Sequence, residues 1–484
     1  MKQEGLFQRI FCAVLFTTLP VVPFAFSVAI PSQVQAEDWV QFRHDSANSG
    51  RSAETGISSS NVSSLKQKWQ MSVPGGTAST PAVVTVNGTS TVFIPSLSGS
   101  IYTFNAVTGA AGWHVALPAP VTAINSSPTV VNGILYVGAN DGRLHAVNAT
   151  TGAHLWSYPP SPQASSEVYS SPVVNNGVVY FGIASVDDDN VCVAGHAVAV
   201  NATSGTMVWD TSMAPSHTGA GVWTSPAIDL TNSVVYVGTG NAGGRCSAPS
   251  LVPLADSIVA VNLTTGKVSN SFQAIPNDNG DLDFGSSPVL TTVTQWNQCT
   301  GSNVTDNYVL DASKNGTLYS VQRVAGGILS GSGFGLNLTN PASYIFQFGS
   351  PGLSGEIVTS VGCGGVNRII TTSQKSVLGA TVPNNPAGSA PLFGISEGIG
   401  SLSPSWSLNQ SFGSYTSPVT ISDLAIYGGG DNKLHAYLWS TGQSVFTYTP
   451  AAPGPLDGSV AISNGRVYFG ATNGFIYCLS INGL

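Results

Sequence analysis

The sequence predicts an all-β chain built as a closed ring of short four-stranded units, on three observations: its composition, its regularly spaced turns and a recurring aromatic motif. Only 8% of the 484 residues are charged, while glycine numbers 55 and Ser, Thr, Asn and Val fill much of the remainder. Helical proteins lean instead on Ala, Leu, Glu and Lys, so this balance reads as many strands joined by turns. The clearest repeat unit, Asn125 to Tyr158, holds four apolar-rich runs. They are separated by Asn132-Gly133, Asp141-Gly142 and Thr151-Gly152, turn pairs of the kind that accept positive φ.

The aromatic motif fixes the period. Asn-x-x-Thr/Ser-Gly-x-x-x-Trp recurs as Asn105, Gly109, Trp113, then Asn148, Gly152, Trp156, then Asn201, Gly205, Trp209. Later copies weaken, with Asn270 and Phe446 in the Trp position. Each unit opens on a Ser/Thr-Pro pair: Thr80-Pro81, Ser127-Pro128, Ser171-Pro172, Ser225-Pro226, Ser287-Pro288 and Ser417-Pro418. Asp457-Gly458-Ser459 opens a last copy, and a degenerate one is expected between Ile357 and Trp406. The expectation is therefore an eight-bladed β-propeller. The last copy ends at Leu484 just after its third strand, whereas Leu65 to Met71 is a lone fourth strand. Trp69 should then complete the final blade and close the ring with strands from both ends of the chain.

The first residues carry Lys2 and Arg9, an apolar run from Ile10 to Ile30, and Val34-Gln35-Ala36 before Glu37. This reads as a secretory signal peptide over residues 1–36, leaving 37–484 as the propeller, with no later run long enough to span a membrane. Removing Lys2, Arg9 and Glu4 from 15 basic and 23 acidic residues leaves 13 and 22, a net charge of −9. Nucleic acid is not an expected partner. Cysteines remain at 192, 246, 299, 363 and 478, with no CxxC or CxxCH, so neither a zinc site nor an attached haem is expected. Cys192 and Cys246 are the pair best placed for a disulfide, on loops of neighbouring blades at one face.

Residues just before the first strand and just after the second of each unit gather on one face of the ring, since those strands run antiparallel. Asp187, Trp223, Asn241, Asp281 and Lys314 all fall there, in three consecutive units. The repeat resembles the tryptophan-docking unit of the pyrroloquinoline quinone (PQQ) dehydrogenases across residues 38–484. The segment VWTSPAIDLTNSVVYVGTGN, Val222 to Asn241, is similar to a stretch of methanol and polyvinyl alcohol dehydrogenases. That resemblance implies Trp223 as the platform under PQQ, and Asn241 and Asp187 as calcium ligands, with Asp188 and Asp189 as substitutes. It implies Asp281 as catalytic base and further metal ligand, with Asp283 in reserve, and Lys314 as the cation meeting the quinone oxygens and so a catalytic as well as a cofactor-binding residue.

Several family features are missing. No adjacent-cysteine pair occurs, no Arg stands between Pro118 and Ser127, and small residues at Thr77 to Ser79 replace an acidic one. Ala194-Gly195 also stands where Arg-Gly is usual. Two principal expectations follow. The first is an exported, calcium- and PQQ-dependent oxidoreductase acting on a small or polymeric alcohol and passing electrons to a separate acceptor. The second is a non-catalytic propeller that binds a protein partner, as envelope assembly propellers with this repeat do; a polymer- or glycan-binding surface protein is a third reading.

Overall fold

The computed structural model describes residues 37–484 apart from 160, 187–190, 243–246, 279–281, 298–301, 315–316, 328 and parts of 338–415; side chains are described except at 295–297 and 330–415. The expected leader, residues 1–36, lies outside the described residues. Among those described, no helix is long and apolar enough to cross a membrane.

The fold is an all-β propeller of antiparallel four-stranded meanders. Blades 1 to 5 comprise residues 82–116, 129–158, 173–212, 227–273 and 289–337, and blade 6 comprises 419–448. Blade 7 takes three strands from 461–481 and its outermost from Leu65–Ser72. That last pairing runs from Leu65 opposite Ile481 to Ser72 opposite Phe475, so strands from the two chain ends share one sheet as expected.

Among the described residues the count is seven blades, which corrects the expected eight. Phe348–Pro351, Gln374–Leu378, Ala390–Gly398 and Ser401–Gln410 pair in a further sheet. They occupy the stretch of the expected degenerate copy, and the side chains that would dock it as a blade lie outside the described residues. The physical reason for the overcount is that this stretch lacks both the bracing Asn turn and its glycine, so strand spacing alone stood in for a docking unit.

The repeat motif explains how blades lock together. Asn148 Oδ1 accepts the backbone N–H groups of Thr150 and Thr151, both at 2.9 Å, which braces the turn, and Asn105, Asn201 and Asn262 do the same in theirs. Gly152 then turns with φ 77°, and a Cβ there would meet the Trp113 ring at 2.8 Å. Glycine is thus required twice, by its backbone and by the ring lying on it. Trp113 Nε1 donates to Ala149 O at 3.1 Å, in the next blade, and Trp209 donates to Leu263 O at 3.0 Å. Trp69 repeats the contact across the ring closure, donating to Ala106 O at 3.1 Å. Where Asn270 replaces Trp, its amide bonds Leu329 O and N instead, at 2.6 and 3.0 Å.

Residues 37–54 form a strap along the inner strands, which the sequence reading did not anticipate. Backbone bonds join Trp39 to Val83, Val40 to Val130, Ser46 to Ile228, Ala47 to Leu290 and Gly50 to Thr420. All five partners stand two residues after the Pro of their unit, so the strap meets one level of the ring in five blades. Arg51–Ser52 continues as a parallel strand against Val419–Ile421. Asn48 Nδ2 reaches Pro226 O and Pro288 O, both at 3.0 Å, and Ser463 Oγ donates to Glu37 O at 2.7 Å.

Cys192 is disulfide-bonded and its partner lies outside the described residues, as does Cys246. Cys478 is free and buried, its thiol pushed up to about 12 by desolvation.

Two outcomes follow from this architecture. Trp69→Ala should lower the unfolding free energy by about 3–5 kcal/mol in denaturant titrations, and deleting residues 37–75 should destabilise the whole ring rather than trim it. Melting unchanged by the deletion would refute closure. Glu54 supplies the second outcome: it is buried, and its carboxylate accepts from Gly465 N at 2.7 Å and from Asn464 N. Burial nevertheless pushes its pKa above the usual carboxylate value. A raised folded pKa gives stability that is full below the unfolded value, about 4.3, and is lost as pH rises through the folded one. Urea midpoints of Glu54→Gln should therefore lack this falling step, which the parent shows above pH 4.

Candidate functional site

The inner strand of every blade is a sheet edge, and its opening Ser/Thr-Pro pair sets the inner rim. Ser127 N donates to Ser171 Oγ at 3.0 Å, Ser171 N to Ser225 Oγ at 2.9 Å and Ser225 N to Ser287 Oγ at 2.9 Å. Thr80 N joins Ser127 Oγ at 3.0 Å, and Ser417 N joins Ser459 Oγ at 2.7 Å. These hydroxyls form a belt, and a cavity of about 340 Å³ opens at its level.

The cavity wall has a simple register. Ala78, Asn125, Tyr169, Trp223, Gly285 and Asp457 all line it, and each stands two residues before the belt residue of its unit. Belt hydroxyls of Thr80, Ser127, Ser171, Ser225, Ser287 and Ser459 fill the spaces between them, and Phe42 of the strap is the remaining aromatic. A polar ring with two or three aromatic faces suits a planar ligand bearing several oxygens.

A charged pair stands against Trp223, one of the lining residues. The segment around Phe284 pairs with Ser313, and Lys314 N donates to Asp283 O at 2.8 Å, which zips the two segments together. Side chains follow: Lys314 Nζ lies 2.6 Å from Asp283 Oδ1, and Trp223 Nε1 donates to Asp283 Oδ2 at 3.0 Å. The ammonium also lies 5.3 Å from the centre of the Trp223 ring, within cation–π reach. Tyr169 meets that ring edge-on at 6.3 Å. Asp283 is 1% exposed, so its charge is held by Lys314 and the indole rather than by water.

Asn241 is brought to the same place by its backbone. Ala220 N donates to Asn241 O at 2.5 Å and Gly240 N to Gly221 O at 2.8 Å, so the loop carrying Asn241 lies against the stretch leading to Trp223. Asn241 is itself buried. Of the expected residues, Trp223 and Lys314 meet at Asp283, and the backbone of Asn241 lies against Ala220, whereas Asp187, Asp188, Asp189 and Asp281 lie outside the described residues. Among the described residues, no group of three His, Cys, Asp or Glu side chains is arranged to hold a metal ion.

Four further residues belong to this region. Asp283, the reserve in sequence, is the acid that orients Lys314. Glu167 accepts from Asn125 Nδ2 at 2.9 Å, and burial raises its pKa, as burial raises that of Asp457. Asp311 lies fully buried behind the wall, its Oδ1 accepting from Ser286 Oγ and from Ala312 N. In the sequence, only the position two before a belt residue could have pointed to Asn125 and Tyr169, which precede Ser-Pro pairs, and to Asp457, which precedes Ser459.

The chain matches the family described as outer membrane protein assembly factor BamB over residues 57–307, half of its length. A polyvinylalcohol dehydrogenase from a Pseudomonas species is 26% identical over 384 residues, 68% of this chain and 57% of the relative. The chain spans about half the length of the curated relatives it matches. The solved quinohemoprotein alcohol dehydrogenase ADHIIG of Pseudomonas putida superposes with a TM-score of 0.69 at 18% identity, covering 93% of this chain and 81% of that one. BamB from Moraxella catarrhalis superposes with a TM-score of 0.56 at 16% identity, covering 86% and 99%. Both likenesses are of fold.

The Asp283–Lys314 pair gives a direct test of this wall. Lys314→Met should strand the Asp283 charge and cost about 3 kcal/mol in unfolding free energy, while adding Asp283→Asn should restore most of it. Equal melting of the single and double variants would mean that the pair is not formed.

Proposed function

The chain belongs to the PQQ-repeat propeller family described as outer membrane protein assembly factor BamB, and on that premise we propose that it is an exported oxidoreductase that oxidises an alcohol with PQQ and calcium. The observation that carries the reading is the Trp223–Asp283–Lys314 cluster, whose indole lines a polar cavity at the belt. A scaffold that merely docks a partner has no need of a cation oriented over an indole face by a buried carboxylate. Relatives named as alcohol dehydrogenases support the same chemistry.

The described residues fit the cofactor. The indole offers a flat apolar platform, the belt hydroxyls and Asn125 offer donors for carboxylates, and Lys314 offers a cation at the platform's face. When bound, PQQ supplies a two-electron acceptor for the hydride of the alcohol. Asp281 takes the hydroxyl proton of the substrate. Lys314, held by Asp283, stabilises negative charge that grows on oxygen at the platform. Asp187, Asn241 and Asp281 are the ligands proposed for calcium, whose preference for carboxylate and amide oxygens they meet. Electrons leave to a separate acceptor, and residues 1–36 direct the chain to the periplasm or beyond it.

The second reading, a non-catalytic propeller that binds a protein partner, is favoured by the description of the matched family and by the BamB likeness. Adding micromolar PQQ with millimolar calcium to the purified chain separates the two. The oxidoreductase should gain a bound chromophore and reduce a dye with at least one of a panel of alcohols. Asp281→Asn should abolish dye reduction and keep the chromophore, whereas Trp223→Ala should weaken quinone binding by roughly 1–3 kcal/mol. Unchanged absorbance and melting temperature would leave the binding propeller as the function.

A further inference from the structure

The cavity has an acidic side, formed by a residue the mechanism above does not use. Among the described residues that line it, Asp457 is the one carboxyl or basic side chain. Its carboxylate has no hydrogen bond or ion pair among the described residues, and desolvation pushes its pKa above the usual carboxylate value. The other carboxylates of the region are all engaged: Asp283 by Lys314 and Trp223, Glu167 by Asn125, and Asp311 by Ser286 and Ala312. Arg43 of the strap is 0% exposed and is not a lining residue, and Asp45 and Asp311 lie within its electrostatic reach.

Asp457 is also held firmly in place. Leu456 and Val460 on either side of its turn are buried, and a Cβ on Gly458 would meet Ser79 O at 2.3 Å, so this segment is packed on the opening of blade 1. A solvated loop acid would not be anchored in this way.

Tyr169 completes the arrangement. It opens blade 3 and Asp457 opens blade 7, with blades 1 and 2 between them, and both line the cavity. Tyr169 is 44% exposed, and desolvation together with the Glu167 and Asp457 carboxylates raises the pKa of its hydroxyl. The phenol and the carboxylate are therefore within electrostatic reach across the cavity, and Ala78, the lining residue of blade 1, leaves room between them. Tyr169 and Trp223 stand at 83° to one another, so two ring faces meet as the corner of a cage, and Phe42 adds a third ring to the lining. Ring faces attract a diffuse cation, and an unpaired carboxylate supplies its counter-charge. A single carboxylate among rings is a poor donor set for a divalent metal ion, which prefers several oxygens.

We propose that Asp457 and Tyr169 form a specificity subsite of this cavity for an organic ammonium group, so that the alcohol it takes is an amino alcohol or a quaternary ammonium alcohol. The proposal rests on the oxidoreductase reading only in calling the ligand a substrate; the cation subsite stands on the cavity alone.

Choline is the probe, and 3,3-dimethylbutan-1-ol, which puts carbon in place of its nitrogen, is the neutral control. With a chelator present and no cofactor, calorimetry on the purified chain should show choline binding about tenfold more tightly than the control, or better. Asp457→Asn keeps the size of the side chain and should remove that preference, with near-ultraviolet circular dichroism reporting the fold. Tyr169→Phe keeps the ring and should keep the preference, whereas Tyr169→Leu should lower it. Equal binding of choline and the control by the parent would overturn the proposal. So would a preference unchanged in a folded Asp457→Asn, or unchanged in Tyr169→Leu should Asp457→Asn not fold. Calcium that displaces choline, with the chelator left out, would make the carboxylate a metal ligand and overturn it too. Dye reduction with PQQ and calcium keeps the two claims apart. Choline bound through Asp457 while no alcohol is oxidised would sink only the oxidoreductase reading, whereas dye reduced as well from the neutral alcohol as from choline would sink only this one.

Discussion

Every blade of a propeller presents its innermost strand to the axis as an unpaired edge, and this chain satisfies those edges in one consistent way. At five of the opening Ser/Thr-Pro pairs, the first residue gives its N–H to the next hydroxyl of the belt, as Ser225 does to Ser287, and the proline has no N–H to give. Two residues on, the N–H of Val83, Val130, Ile228, Leu290 or Thr420 goes to a carbonyl of the strap. The rim is therefore bonded around the ring at one level and across it at the next. With these edges satisfied, a polar cavity can sit at the axis without fraying the sheets around it.

The outer rim works by a different interaction with the same periodicity. Trp69, Trp113 and Trp209 each lie on the glycine of the neighbour's turn and donate to the carbonyl that follows the bracing Asn. Burial of a large flat ring supplies the energy, and the single N–H bond supplies the register. Trp69 extends this to the closing blade, so that one residue far from the C-terminus holds the chain's last strands in place. The strap and the closing strand are continuous in sequence, which couples the inner and outer fastenings.

The cavity inherits its chemistry from this frame. One position per blade, two before the belt residue, faces the axis, and its identity varies freely because the belt beside it does not. Trp223 and Tyr169 place aromatic faces there, Asn125 and Asp457 place polar groups, and Ala78 and Gly285 leave room. Charge stands behind this surface: Asp283 orients Lys314 against the indole.

The sequence by itself determined the local units, because their causes are local. An Asn that braces its own turn, a glycine at φ 77° and a Trp four residues on are written within nine positions, and the lone strand at Leu65–Ser72 announced its missing partners. The neighbourhood of Trp223 and Lys314 was legible for the same reason, both being set at fixed distances from those units. Where the units degenerate, the reading misled: eight blades were counted and seven are found among the described residues. Tertiary structure alone decided what comes from the far side of the ring. Nothing near Arg43 in sequence marks it as buried, and nothing in DASKNG says that Asp311 faces the strap, since both depend on residues 37–54 meeting inner strands up to some 400 positions away. Contacts between segments so distant carry no periodic signature, so only the closed ring could show which charges meet at its axis.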